Sequence, residues 1–314
     1  MPARLGDPKH PSEGVSCSAM SDDTDDTDDT GSSHDSRGNG GKGDAADIGR
    51  RPALADPRPL LGFFSRLPVG TRASLDAVIA AFPLVPLVGW ATGAFGAAAA
   101  LVLSPLLPGS ALAAVILVFV VGLTGLNQTD GLLDLGDGLM VHGDADKRLS
   151  AMHDRSAGVG AVAAVLFTYL LSFAALAGIA GQAGAALETG WLGPGARALA
   201  ATVVLAEVTA RLPYPILAWL GRSSHEGLGS RFLRDFGPMH AMVGVAAAAP
   251  VALTGLWLGW VPVVLAFAAA AAVAVWALVT STRLLGGVGG DVMGASQELA
   301  RAAALLAVSV GLAL

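Results

Sequence analysis

From Leu60 to the C-terminus, apolar runs long enough to cross roughly 30 Å of hydrocarbon recur between short polar stretches. This alternation limits the fold more than any other feature, because a segment in lipid must satisfy its own backbone hydrogen bonds, as a helix does. The runs predict helices at roughly 77–103, 109–128, 158–181, 196–220, 240–258, 261–281 and 295–314. With 53% hydrophobic and only 14% charged residues, and a mean hydropathy of +0.60, the chain lies far outside the range of soluble domains. The expected fold is an all-α, polytopic integral membrane protein of about seven transmembrane helices. Pro83 and Pro86 stand where they would kink the first helix, and Gly89, Gly93 and Gly96 give a small-residue spacing at which a neighbouring helix can pack closely.

Residues 1–57 have another character. They are rich in Asp, Gly, Ser, Thr and Pro, include the repeat DDTDDTDDT at Asp22–Thr30, and carry 12 Asp/Glu against 6 Lys/Arg, leaving 13 of each for the remainder. Too little can be buried there for a fold, so residues 1–57 are expected to be a disordered acidic tail and 58–314 the membrane domain. The tail lacks the basic-then-apolar layout of a signal peptide. Cys17, the only cysteine, lies in it. That excludes an intrachain disulfide framework and thiolate metal clusters, so any metal is expected to have oxygen ligands.

Orientation follows from the basic residues. Arg58, Arg66 and Arg72 precede the first predicted helix; Lys147, Arg148 and Arg155 follow the second; Arg222, Arg231 and Arg234 follow the fourth; Arg283 follows the sixth. The connections at 104–108, 182–195 and 259–260 contain neither Lys nor Arg. Seven spans with a cytoplasmic N-terminus satisfy the positive-inside rule at every loop, with Arg197 a small exception. The arrangement puts the 129–157, 221–239 and 282–294 loops together on the cytoplasmic side of the cell membrane.

The stretch Asn127–Asp154, NQTDGLLDLGDGLMVHGDADKRLSAMHD, gathers six aspartates in this otherwise lipid-soluble region. Asp130, Asp134 and Asp137 follow an i, i+4, i+7 spacing and so fall within about 60° of one another on a helix. Three like charges on one stripe repel, and a divalent cation with hard oxygen ligands would turn that repulsion into binding. Arg148 and Arg155 nearby, with Asp154, suit a nucleotide diphosphate whose charge is shared between a cation and guanidinium groups. Asp144 and Asp146 are off the stripe and read as ordinary surface charges. His142 and His153 match no zinc spacing and read as interfacial or hydrogen-bonding histidines.

Three further groups are candidates for the substrate site. Glu207 and Arg211, i and i+4 in the fourth predicted helix, are either a structural ion pair or, since ionisable groups in a span face the interior or a cavity, functional; Arg211 could alternatively reach a phosphate. Gly227 and Gly229, in a loop rich in arginine, would let backbone approach a ligand, although contact with the membrane surface explains the same loop. Asp291, among the glycines of LLGGVGGDVMGASQEL, is either a helix N-cap or a further carboxylate of the aspartate site. No Walker A motif and no G-x-S-x-G elbow is present.

These segments, in order, resemble the adenosylcobinamide-GDP ribazoletransferase family, the cobalamin synthases. FFSRLPVG at Phe63–Gly70 is similar to the family's F-x-T-R-I/L-P signature, and FPLVPLVGWATG at Phe82–Gly93 to its P-L-V-G-x-x-x-G helix. TDGLLDLGDGL at Thr129–Leu139 resembles the H-x-D-G-L-x-D-x-x-D-G-L core, and RLSAMHDRSAGVGAVA at Arg148–Ala163 its continuation. EGLG at Glu226–Gly229 and GGVGGDVMGASQEL at Gly286–Leu299 are similar to the two later segments. Gln128 stands where the family core has histidine, and Gly289 where its last motif has threonine.

The resemblance implies a Mg²⁺-dependent transferase at the inner membrane face. Adenosylcobinamide-GDP would donate its corrinoid phosphate to α-ribazole, or to α-ribazole 5′-phosphate, with release of GMP. Asp130, Asp134 and Asp137 would hold the metal, with Asp154 and Asp291 beside them, and one carboxylate would take the proton of the attacking hydroxyl. Arg148, Arg155 and Arg211 would stabilise phosphate charge. The lipid bilayer is the expected surrounding, no nucleic-acid partner is expected, and an oligomer is compatible with the sequence. Two other readings stay open. A CDP-alcohol-type phosphotransferase would also use helical aspartates, but its D-G-x-x-A-R core is missing; a cation-coupled transporter would place acids in several spans, where only Glu207 reads as deep.

Overall fold

The computed structural model describes residues 56–70, 74–185 and 192–314; the acidic tail expected at 1–57 lies almost wholly outside these residues, as does Arg72. The elements in chain order are α1 (Arg58–Phe64), α2 (Leu75–Ala81), α3 (Pro86–Leu103), α4 (Gly109–Leu123), α5 (Asn127–Met140), α6 (Ala145–Met152) and α7 (Val159–Ala185). Then follow α8 (Pro194–Thr209), α9 (Pro213–Leu220), α10 (Leu228–Leu233), α11 (Pro238–Ala248), α12 (Gly255–Leu258), α13 (Trp260–Leu284) and α14 (Gly290–Ala313). Among the described residues there is no strand beyond a single parallel bridge, Ser223 to Val288. The chain is an all-α polytopic membrane protein.

Five stretches are long and apolar enough to cross a membrane: Pro86–Leu103, Val159–Gly181, Pro194–Leu220, Pro238–Leu258 and Trp260–Leu284. The second predicted helix departs from a straight span. Gly125 and Leu126 adopt left-handed φ values of 74° and 66°, and the chain turns by 94° between α4 and α5. α4 therefore stops at Leu123, and the aspartate stripe sits on a separate helix across its end. Counting α4 and α5 as one broken span gives six candidates rather than seven. α14 is the seventh predicted helix. At 24 residues it has the length of a span, yet it carries Asp291, Glu298 and Arg301 and packs against α5, α7, α8 and α13 inside the bundle.

Proline breaks the other irregular helices. Pro83 lies in a 3₁₀ turn between α2 and α3 and Pro86 opens α3, Pro213 and Pro215 interrupt the fourth predicted helix, and Pro250 lies in a 3₁₀ segment joining α11 to α12. Large apolar side chains such as Phe167, Leu170, Val264 and Trp276 point outward, as expected where lipid is the solvent. The small-residue spacing in α3 does what it predicts: a Cβ on Gly89 would lie 2.5 Å from the Glu207 carbonyl oxygen, so α8 packs directly on α3.

Candidate active site

The long polar connections meet at one end of the bundle. Val288 N–H donates to the Arg222 carbonyl at 2.7 Å, which ties the 221–239 loop to the start of α14. Gly131 brings α5 against the same place, since a Cβ there would lie 2.7 Å from the Asp291 carbonyl oxygen. The aspartate stripe, Asp291 and the 221–239 loop are therefore neighbours.

Asp130, Asp134 and Asp137 line one face of α5 and open into a cleft of about 330 Å³, whose other wall includes His153, Asp154 and Arg155. Asp134 is half-buried there. Burial, followed by the charges of Asp291, Asp130 and Asp137, pushes its carboxyl up to about 7. Asp291 is also raised, chiefly by burial and further by Asp130, while His153 and His225 act in the opposite direction.

Some predicted residues are occupied by structural contacts. Asp137 accepts from the backbone N–H of Gly158 at 2.7 Å and of Ala161 at 2.8 Å, so it anchors the positive start of α7. Asp154 accepts from both the N–H and the hydroxyl of Ser156, at 2.9 and 2.5 Å, and these bonds hold its carboxyl below the usual range. Arg148 donates to the carbonyls of Gly138, Leu139 and Gly143, closing the end of α5. Its Nε and Nη1 are thus engaged with backbone. Asp144 caps α6 through Lys147 N–H at 3.0 Å, in keeping with its reading as a surface residue.

Glu207 and Arg211 do not enter the cleft. They lie inside the bundle, 3.9 Å apart, in a buried cluster that the sequence reading did not foresee. Glu207 and Glu298 both pair with Arg301, and Thr92 donates to Glu207 at 2.7 Å. Tyr214 donates to Gln297 at 3.1 Å, while the three guanidinium nitrogens of Arg211 lack hydrogen-bond partners. Glu298 is thus as deep as Glu207, and two acids face two arginines. The visible signal was the i, i+3 spacing of Glu298 and Arg301 within an apolar helix.

Gly229 is buried, and a Cβ there would lie 2.5 Å from Gly290 N, so its smallness admits the neighbouring loop; Gly227 is exposed and extended. The residue missed at the site is His225. Its ring stands edge-on to that of His153 with centroids 5.5 Å apart, and both rings act electrostatically on Asp291. Nothing local in the 221–239 sequence distinguishes it, because its partner lies 72 residues earlier in the chain.

Among the described residues no three His, Cys, Asp or Glu side chains form a ready-made metal cage. The donor set still suits magnesium: hard carboxylate oxygens, no thiolate, and mutual repulsion around Asp134 that a cation would relieve. Such an ion commonly takes one or two carboxylates and completes its shell with water and substrate phosphate, which an open cleft allows.

The chain matches the family model described as cobalamin-5-phosphate synthase over residues 57–309. It is 39% identical over 253 residues to a Halorubrum lacusprofundi protein named adenosylcobinamide-GDP ribazoletransferase, covering 79% of this chain and 94% of that one. Proteins of the same name from Haloquadratum walsbyi and Methanococcoides burtonii are 30% and 29% identical, covering 78% and 81% of this chain and 93% and 92% of theirs. No solved structure matches. With its aspartate helix, its last-helix carboxylate and this match over nearly the whole membrane part, the chain belongs to the cobalamin-5-phosphate synthase family.

Proposed function

We propose that this protein transfers the adenosylcobinamide phosphate of adenosylcobinamide-GDP to α-ribazole or its 5′-phosphate, releasing GMP, with its active site on the cytoplasmic side of the cell membrane. The observation that carries this is the convergence of Asp130, Asp134 and Asp137 with Arg155 in one cleft at one end of the bundle, in a chain whose relatives bear that enzyme's name. Oxygen from the acceptor hydroxyl bonds to the corrinoid-side phosphorus, the bond from that phosphorus to GMP breaks, and the hydroxyl proton passes to a carboxylate. Asp291 is the candidate for that role, supported by its place on the wall of the neighbouring aromatic cavity and by its coupling to Asp130 and Asp134.

Asp130 and Asp134, with Asp137 through its remaining lone pairs, would hold Mg²⁺, which when bound supplies charge neutralisation on the diphosphate. Arg155 orients the phosphates from the opposite wall. The buried acids favour an enzyme over a cation-coupled transporter, since Arg301 bonds both Glu207 and Glu298. Purified protein in lipid with Mg²⁺ should release GMP from adenosylcobinamide-GDP only when α-ribazole or its phosphate is added. Absence of GMP and of corrinoid product from folded protein would reject the assignment.

A further inference from the structure

The segments Phe63–Gly70 and Phe82–Gly93 have no part in the aspartate cleft, yet they converge on a second cavity. It has a volume of about 230 Å³ and is walled by Phe63, Phe64, Phe82, Tyr214 and Phe232. The rings form one cluster, with Phe82 and Phe232 centroids 4.6 Å apart, Phe63 and Phe64 4.9 Å, and Phe64 and Tyr214 5.5 Å. Polar side chains interrupt this apolar wall on one side, where Asn127 lies beside the two that matter most here. One is Asp291, and the other is Gln128, which is 3% exposed and whose Oε1 has no hydrogen-bond partner. A buried acceptor left unpaired is costly unless a donor arrives.

We infer that this cavity binds the acceptor nucleoside, with its flat, apolar bicyclic base against the phenylalanine rings and its ribose hydroxyls toward Gln128 and Asp291. The inference rests on the proposed transferase reading and adds where the acceptor sits and which residues select its base. Size excludes the other substrate's macrocycle, because a corrin ring with its side chains is far larger than a cavity of about 230 Å³. Guanine suits the phenylalanine side of the cavity less well. Its ring N–H, amino and carbonyl groups would face phenyl rings, and the Tyr214 hydroxyl already donates to Gln297. A methylated benzimidazole, in contrast, presents only apolar edge and π-face there. A ribose hydroxyl supplies the donor that Gln128 Oε1 lacks. The base then lies in the wall beside Asp291, and the attacking hydroxyl faces the group that takes its proton.

Phe63→Ala and Leu228→Trp test the placement without emptying the core, because Phe63 is half-buried and Leu228, also on the cavity wall, is 48% exposed. Full-length protein in nanodiscs is titrated with α-ribazole alone, with guanosine diphosphate as the contrasting probe. Loss of base stacking in Phe63→Ala is expected to weaken α-ribazole binding roughly 5- to 100-fold. Leu228→Trp, by narrowing the mouth, is expected to weaken it as well. In turnover, the KM for α-ribazole should rise in both variants while the KM for adenosylcobinamide-GDP stays within about twofold. Unchanged α-ribazole binding in both folded variants, or loss of guanosine diphosphate binding instead, overturns the inference. Wild-type turnover with unaffected variants rejects the cavity assignment alone; no wild-type turnover rejects the transferase reading, while the binding titration still decides the cavity.

Discussion

Arg301 on α14 pairs with Glu207 on α8, and both side chains are sealed inside the bundle. The same guanidinium holds Glu298 one turn earlier, so one cation joins two helices and bridges two acids, with Arg211 as the second cation of the cluster. Breaking a buried pair leaves an uncompensated charge, which typically costs about 3–5 kcal/mol. Arg301→Leu is therefore expected to lower the melting temperature in detergent sharply and to reduce the yield of inserted protein. Glu207→Gln, which keeps the shape and a hydrogen-bonding oxygen, should do less harm. A variant Arg301→Leu that melts like the wild type would show that the cluster does not hold the helices together.

Asp137 anchors α7 through the N–H groups of Gly158 and Ala161. Asp137→Ala removes both acceptors and should destabilise the protein by about 1–2 kcal/mol, the scale of a lost helix cap. Asp137→Asn retains one oxygen and should recover part of that stability. Its turnover should remain low if the charge also serves the cation. Comparing melting curves with GMP release for the two variants separates the anchoring role from the chemical one.

The raised carboxyl of Asp134 makes stability depend on pH in the metal-free protein. Its value of about 7 in the fold lies above the ordinary 3.8, so between them the folded chain binds a proton that the unfolded chain releases. Stability is highest below the unfolded value and falls as pH rises toward about 7. Melting curves in chelator at about pH 5 and about pH 8 should show this decline, and Asp134→Asn should flatten it. The same variant should abolish turnover while leaving membrane insertion intact.

Gly131 is the contact that lets the start of α14 reach α5. Gly131→Ala places a methyl group 2.7 Å from the Asp291 carbonyl oxygen, so the two backbones must separate. Turnover is expected to drop by at least about tenfold, because small displacements of reacting groups are costly, while expression remains near normal. Wild-type turnover in this variant would place Asp291 outside the reacting group.

Much of the site was legible because its signals are local. The i, i+4, i+7 spacing put Asp130, Asp134 and Asp137 on one face whatever surrounds the helix, and that face lines the cleft. Composition and apolar run length likewise sufficed for an all-α membrane fold. Less visible was which charged groups are already engaged. Arg148, for example, also bonds the carbonyls that end α5, because helix-end carbonyls draw a nearby guanidinium as a phosphate would.

The sequence by itself determined that the chain is a bundle of membrane helices with a carboxylate stripe at one boundary, since both follow from periodicities that hold for any helix in lipid. Tertiary structure alone decided the rest. It made Gly125 and Leu126 a right-angled turn that turns the stripe across the end of the bundle, and it brought His225 against His153 and Asp291 beside Asp134. It also gathered the phenylalanines of distant segments into one cavity. These are long-range contacts, and their energies depend on packing between residues that no local pattern connects.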